Sequence, residues 1–438
     1  MAQIVYDNTL MVGYLFLWII TFFWYQYKAK EVDAGSAIIL SYIGYAFISI
    51  LTYNEPIPIT KYLYEPLKLF PFIYLFVMLI IALSPAIYHH IYPTKEIEVP
   101  HTRVLFAIGV VSIICSIILI PSIVGNIQDG LIKLFLDNDA GKDAYEEQLK
   151  GAQDSGGAIR NIPAIIYNML FDVSVFIAFY FLSLKNKKPI FVLLVFLSLI
   201  VGLLTPVMNG QRSVVILNTY TIIICYMLFR RYLSKRLNSI VKKIGTALLV
   251  AISLPIVFIT ISRFEGEKSA AVTDFLNWYI GQGNLYFNNH GLDAGGIRYG
   301  DRTINLAKRL IDPKTPKNFV ERRDKYHNLE LDDNVFSTFV GDFTIDFGPY
   351  LAVVIFIVFN GWVLMQIRTR GSTTIKLHQL LLIYFTVCIC MQGGMYLFSY
   401  SDVGGNLRIL VFALLYGYLK YHEVLLKKFP LYSKKDTI

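Results

Sequence analysis

A chain of 438 residues that is 55% hydrophobic, 15% aromatic and only 16% charged, with a mean hydropathy of +0.53, is too apolar for an ordinary soluble domain. Its net charge of +9 would suggest nucleic acid in a soluble protein, but the basic residues gather between apolar runs, as membrane orientation signals do, so nucleic acid is set aside as a partner. Cys115, Cys225, Cys388 and Cys390 all fall inside apolar runs, where a small packing residue is the ordinary reading, and Cys388-x-Cys390 lacks redox or zinc spacing.

In chain order, runs able to cross a core of roughly 30 Å, at about 20 residues each, cover Leu10 to Tyr25, Ala34 to Tyr53, Leu69 to Tyr88, Val104 to Val124, Ile162 to Leu184 and Pro189 to Met208. They continue with Ser213 to Phe229, Gly245 to Ile261, Pro349 to Ile367, Leu377 to Phe398 and Leu407 to Val424. Eleven helices are therefore expected in a single integral membrane domain spanning residues 1–438; no alternating ten-residue pattern of a barrel is present. The first run has no basic stretch before it and no small-residue cleavage site after it, so it reads as a retained helix.

Loops holding Lys28 and Lys30, Lys95 and Arg103, Lys185 to Lys188, Arg230 to Lys243, Arg368 to Lys376 and the Lys427 to Lys435 tail form the basic set. The positive-inside rule puts that set in the cytoplasm, the N-terminus outside and the C-terminus inside, so both long loops, 125–161 and 262–348, are external. The first opens with Ile127, Leu131, Leu134 and Phe135 at helical spacing, fitting an amphipathic helix on the membrane surface. Its remainder, Asp139 to Gly157, reads as a mobile cover or a plain solvated linker. The second carries a helical pattern over Ala271 to Tyr286, then a Gly- and Asn-rich stretch with His290, Arg298, Asp301 and Arg302, then a basic run from Lys308 to Lys325. A loop of that length without function is uncommon.

Gly210-Gln-Arg-Ser213 joins two apolar runs with almost no loop, which puts Arg212 at the external mouth of the bundle; Arg263 and Arg408 stand at two further mouths. Each could grip a phosphate with its planar fork or snorkel to lipid headgroups. Asp342 and Asp346 are four apart, and Asn334 and Thr338 continue the spacing upstream, so the four would form one polar stripe on a helix of Val and Phe. A carboxylate so placed suits a general base, its pKa raised by apolar surroundings; a structural hydrogen-bond stripe is the alternative. His290 and His327 could shuttle a proton. Arg298, Arg302, Arg322 and Arg323 could bind phosphate or acidic sugars or attract headgroups, and Tyr396, Tyr400 and Asp402 beside Arg408 suit sugar rings. No Walker loop, metal cluster, nucleophile elbow or dinucleotide fingerprint is present, so neither a metal nor another cofactor is expected.

Many spans, a large late external loop, Gly-Gln-Arg-Ser at a tight turn and Asn334-x-Phe-Ser-Thr-Phe…Asp342-Phe-Thr-Ile-Asp-Phe-Gly348 together resemble the Wzy-type oligosaccharide repeat-unit polymerases of O-antigen and capsule assembly. The resemblance implies an all-α, membrane-embedded GT-C-like glycosyltransferase of the bacterial inner membrane, inverting and metal-independent, that joins undecaprenyl-diphosphate-linked oligosaccharides on the periplasmic face. A chain-length regulator and a flippase of the same pathway would be its partners. On that reading Asp342 or Asp346, with His290 in reserve, is the base. Arg212, Arg263 and Arg408 are the cations, and Asn334, Thr338, Arg298, Arg302 and Tyr400 line the site. An O-antigen ligase using the same donor and a lipid-linked saccharide transporter are the alternatives.

Overall fold

The computed structural model describes residues 2–29, 31–54, 65–98, 102–136, 162–184, 188–208, 211–264, 272–331, 335–369 and 372–428. About 79% of the chain is helical, and the strands among the described residues are two three-residue segments, so the protein is all-α. In order come α1 (Ala2–Ala29), α2 (Ala34–Asn54), α3 (Leu69–Ile91), strand β1 (Glu96–Glu98), α4 (Arg103–Leu136), α5 (Ile162–Ser183), α6 (Pro189–Met208), α7 (Arg212–Phe229) and α8 (Lys235–Phe264). Then follow α9 (Val272–Tyr286), a π turn (Phe287–Gly291), α10 (Asn305–Ile311), α11 (Phe319–Lys325), α12 (Phe339–Phe347), α13 (Pro349–Ile367), strand β2 (Thr374–Lys376), α14 (Leu377–Cys390) and α15 (Asp402–Lys428).

Eight helices among the described residues are long and apolar enough to cross a membrane: α1 to α7 and α13. The protein is a multi-pass membrane protein. Three expected runs, Gly245 to Ile261, Leu377 to Phe398 and Leu407 to Val424, are helical over α8, α14 and α15 but do not join those eight. α14 is a shorter apolar helix, and α15 carries Asp402, Arg408 and Lys420 along its length.

The expected run from Leu377 to Phe398 breaks after Cys390, and residues 391–395 form a turn. Gly394 lies in that turn: a Cβ there would sit inside the ring of Tyr45, so the backbone passes α2 at a distance that only glycine permits. The fourth helix continues unbroken to Leu136 and takes in the stretch expected as a surface helix, whereas Asp139 to Gly157 lies outside the described residues.

Burial follows the all-round apolar pattern of α5, where every residue from Leu170 to Phe181 is buried, Asp172 included. A helix apolar on all faces has no preferred outward side and goes to the centre of a bundle. Outer helices instead leave large apolar side chains exposed, among them Phe16, Phe23, Ile117, Ile190 and Met365, as lipid contact requires.

α9 does not lie free over the mouth. It packs along α2, where the Ser49 hydroxyl donates to the Gly281 carbonyl at 2.7 Å and the Thr52 hydroxyl to the Asn277 carbonyl at 2.7 Å. Beyond it, Asn288 accepts from the Lys68 amide at 2.9 Å and donates to the Lys68 carbonyl at 2.8 Å, tying the π turn to the entry of α3. At the end of the bundle away from this cap, β1 and β2 pair in parallel, Ile97 opposite Ile375.

Candidate functional site

The expected stripe does not form as one helix. α12 begins at Phe339, and Thr338 caps it in extended conformation, its hydroxyl accepting from the Gly341 amide at 3.4 Å. Thr338 is thereby taken by the cap rather than lining a cavity. Asn334 lies outside the described residues. Gly348, at φ +77°, ends α12, and Pro349 opens α13 at the first helical position, which lets α12 turn off the axis of the span that follows.

That turn points Asp342 and Asp346 at the loop, where arginines rather than apolar side chains meet them. Arg298 is buried and bridges both, donating from Nε to Asp346 at 2.8 Å and from Nη2 to Asp342 at 3.3 Å. Burial alone would weaken the guanidinium's charge, but the two carboxylates outweigh it and hold Arg298 more firmly protonated than free arginine. Asp346 also accepts from the Arg302 amide (3.2 Å), the Thr303 amide (2.7 Å) and the Thr303 hydroxyl (2.8 Å). Three of these four donors crowd Oδ2 and the fourth, Arg298, takes Oδ1. Asp346 therefore latches the loop to α12.

Asp342 meets three donors rather than four. Its Oδ1 accepts from Arg298 and stands 3.2 Å from Arg302 Nε, while Oδ2 takes the Phe398 amide at 2.7 Å. Arg302 is the cation with donors to spare. Its Nε faces Asp342 and Ser401, its side chain is 14% exposed, and its two terminal nitrogens make no hydrogen bond among the described residues. Thr303 and Ile304, next in sequence, form the rim of a cavity of about 240 Å³ running down between α12, α13, α14 and α15, with Phe343, Phe356, Phe385 and Ile409 on its walls. The polar cluster and the apolar cleft are thus adjoining parts of one site.

A second charge pair lies deeper. Arg408 donates from Nε (3.1 Å) and Nη2 (2.5 Å) to Asp172 Oδ2, to which the Tyr400 hydroxyl also donates at 3.1 Å, and its guanidinium lies 5.0 Å from the centre of the Tyr400 ring. Asp172 Oδ1 is buried without a hydrogen-bond partner among the described residues. Asn406 joins the two clusters by donating to the carbonyls of Thr303 and Tyr400 at 2.8 Å each.

His290 stands apart on the π turn, its Nδ1 3.9 Å from the exposed carboxylate of Glu330. His327 faces the Asp324 carbonyl on the exposed surface. Arg212 opens α7 and Arg263 lies near the end of α8, but their side chains fall outside the described residues. Of the three arginines expected on one anion, Arg408 is paired with Asp172, while Arg298 and Arg302 meet Asp342 and Asp346; the placement of the Arg212 and Arg263 side chains lies outside the described residues. Asp172 is the one Asp, Glu, Lys or Arg in the α5 run from Ile162 to Ser183. An ionisable residue inside a span is itself the signal of a partner.

Asp301 fastens the rest of the loop. It is buried and accepts from Lys308, from Lys325 at 2.6 Å and from the Tyr326 hydroxyl at 2.7 Å, while Arg322 donates to Asp402 at 2.6 Å. Burial would raise the Asp301 carboxyl's pKa, yet the bonds from Lys308, Lys325 and Tyr326 outweigh it and hold the group below its ordinary value. A carboxyl depressed in the folded state adds stability above its ordinary pKa and loses it as pH falls through the folded value. Loop protection from protease should accordingly hold at neutral pH and decline below about pH 4. Asp301→Asn should start weaker and lose this part of the decline; a variant with the wild-type pH profile would remove Asp301 as its source.

No family model, curated protein or solved structure matches the chain.

Proposed function

We propose that the protein polymerises oligosaccharide repeat units carried on undecaprenyl diphosphate. Its place would be the bacterial inner membrane, with the cap on the periplasmic face. The observation that carries this reading is Arg302, whose terminal nitrogens make no hydrogen bond among the described residues and whose sequence neighbours Thr303 and Ile304 line an apolar cleft. A ligand made of an anionic head on a long apolar tail needs both features side by side, because the fork binds phosphate oxygens while the cleft takes isoprene units out of water. Lys308 and Lys325 both converge on Asp301, so that cluster carries two cations on one carboxylate.

In the reaction a hydroxyl of one lipid-linked unit attacks the anomeric carbon of the growing chain, and undecaprenyl diphosphate departs. The proton of that hydroxyl needs an acceptor and the departing diphosphate needs donors. Asp342, with fewer donors on it and beside Arg302, keeps the role of base within this proposal; Asp346 is committed to the latch. Tyr400 and Arg408 support the wall below, through Asp172.

The test is purified protein with a synthetic lipid-linked repeat unit, read as a product ladder. Wild type should extend the unit, and Arg302→Ala, folded and expressed normally, should extend it about a hundredfold more slowly, as loss of one fixed donor set from a partly dry site implies. In cells, deletion should leave single-repeat glycans. Long chains retained on the carrier with none on lipid A would move the reading to a ligase, and an unchanged ladder would end it.

A further inference from the structure

The end of the bundle away from the cap holds a second polar cavity, of about 530 Å³, that takes no part in the site above. Glu31, Val32 and Asp33 line it from the α1–α2 link, Met227, Arg230, Arg231 and Leu233 from the end of α7 and the turn after it, and Asn238 from α8. Volumes of this order suit a small ligand or a headgroup rather than a few waters.

Its wall carries two carboxylates, Glu31 and Asp33, and two guanidinium groups, Arg230 and Arg231, but these four are not closely paired with one another. Asp33 is engaged elsewhere: His90 Nδ1 lies 2.7 Å from its Oδ2, the Tyr25 hydroxyl donates at 2.9 Å and the Ser36 amide at 3.0 Å. The other ring nitrogen of His90, Nε2, lies 3.0 Å from the Tyr25 carbonyl oxygen, so the ring is fixed between Asp33 and α1. Arg231 is left with a remote approach to Asp33, 3.9 Å at Nη2, although its side chain is only 15% exposed. Its Nη1 is buried and has no hydrogen-bond partner among the described residues, as is also true of Asn238 Oδ1 on the same wall. Arg230 stands beside it, exposed, reaching the Val32 carbonyl at 3.4 Å, and Glu31 at the rim is the opposing charge.

A buried guanidinium nitrogen without an acceptor carries the full cost of its lost hydration. Such a nitrogen calls for an acceptor from water, an ion or a ligand. We propose that this cavity binds a phosphate group. Arg231 grips the phosphate oxygens from inside, Arg230 meets them from the surface, and the Asn238 carbonyl oxygen accepts from a hydroxyl carried on the same ligand. The phosphate belongs either to the headgroup of an anionic phospholipid or to a soluble phosphate ester, since the same guanidinium chemistry reads both.

The experiment uses the full chain purified in an uncharged detergent, with its melting temperature followed against phosphatidylglycerol in mixed micelles, against phosphatidylcholine as the uncharged lipid, and against glycerol 3-phosphate and inorganic phosphate without lipid. Wild type should be stabilised by phosphatidylglycerol and not by phosphatidylcholine. Stabilisation by the soluble phosphates as well assigns the site to a free phosphate ester; stabilisation by the lipid alone assigns it to a headgroup. Arg231→Gln should weaken the effective probe at least tenfold. Lys242→Gln with Lys243→Gln, which removes two exposed charges from α8 outside the cavity, should leave it within about twofold. If Arg231→Gln does not fold, Arg230→Gln with Asn238→Ala, both nearer the surface, makes the same comparison. The proposal is overturned if no phosphate probe moves wild type, if the cavity variants respond as wild type does, or if the α8 lysine pair matters as much as Arg231. None of these readouts depends on glycan synthesis.

Discussion

Asp346→Ala is expected to destabilise the protein by about 3–5 kcal/mol, the usual consequence of removing one partner from a buried ion pair. The size follows from what is left behind. Arg298 is buried and loses its shortest bond, and the Thr303 amide and hydroxyl and the Arg302 amide lose their acceptor at the same time. Asp342 cannot take over, because its own oxygens already face Arg298, Arg302 and the Phe398 amide. Asp346→Asn should fall between wild type and alanine, since one carbonyl oxygen remains an acceptor while the amide nitrogen would face donors. The measurement is melting temperature of purified protein beside protease cleavage within residues 287–331. A variant that melts within about 1 kcal/mol of wild type, with the loop still protected, would show that the latch is dispensable.

The second large effect is expected in the bundle interior. Asp172→Asn should leave Arg408 without its charge partner at a depth where water is scarce, and Arg408→Gln should strand the Asp172 carboxylate, whose Oδ1 already lacks a hydrogen-bond partner among the described residues. Each single change should cost on the order of 3 kcal/mol. The double variant should be more stable than the sum of the two predicts, by about 1.5–3 kcal/mol, because no lone charge remains in it. A thermodynamic cycle from melts in one detergent measures that difference. Strict additivity would mean the two residues do not act as a pair. The double variant also separates folding from turnover: if Arg408 serves the lipid-linked substrate as well as Asp172, restored folding should come without restored polymerisation.

The helices were legible in the sequence because lipid imposes a single solution on long apolar runs. Ala34, Leu69, Pro189 and Pro349 begin helices where the apolar runs begin, and Gly348-Pro349 breaks the chain as its residue types require. What crosses between elements was not legible. Helical spacing identifies Asp342 and Asp346 as neighbours on α12, but nothing in periodicity says that a loop arginine 44 and 48 residues upstream lies against them. The apolar residues around those carboxylates in sequence suggested a base in greasy surroundings, whereas the chain brings guanidinium groups to the polar face. Arg408 and Asp172, 236 residues apart, pose the same difficulty on a longer scale. The break after Cys390 was masked for another reason: Met391 to Phe398 is apolar enough to continue a span, and the Gly393-Gly394 pair that marks the turn is short beside it.

The long-range bonds also set a timetable for synthesis. The Tyr74 hydroxyl on α3 donates to the Pro349 carbonyl, 275 positions later, and the Tyr42 hydroxyl on α2 donates to the Cys390 carbonyl, 348 positions later. At about 5–20 residues per second, a growing chain holds α2 and α3 in the membrane for roughly 14–70 s before those partners exist. The first three helices are equipped for the interval. Trp18 packs against Tyr42 and Phe76, Tyr14 against Phe72, and Asp33 closes on His90 and Tyr25 within the same early segment. They can wait as a self-fastened trio, its buried carboxylate satisfied, until α13 and α14 emerge to complete the bundle.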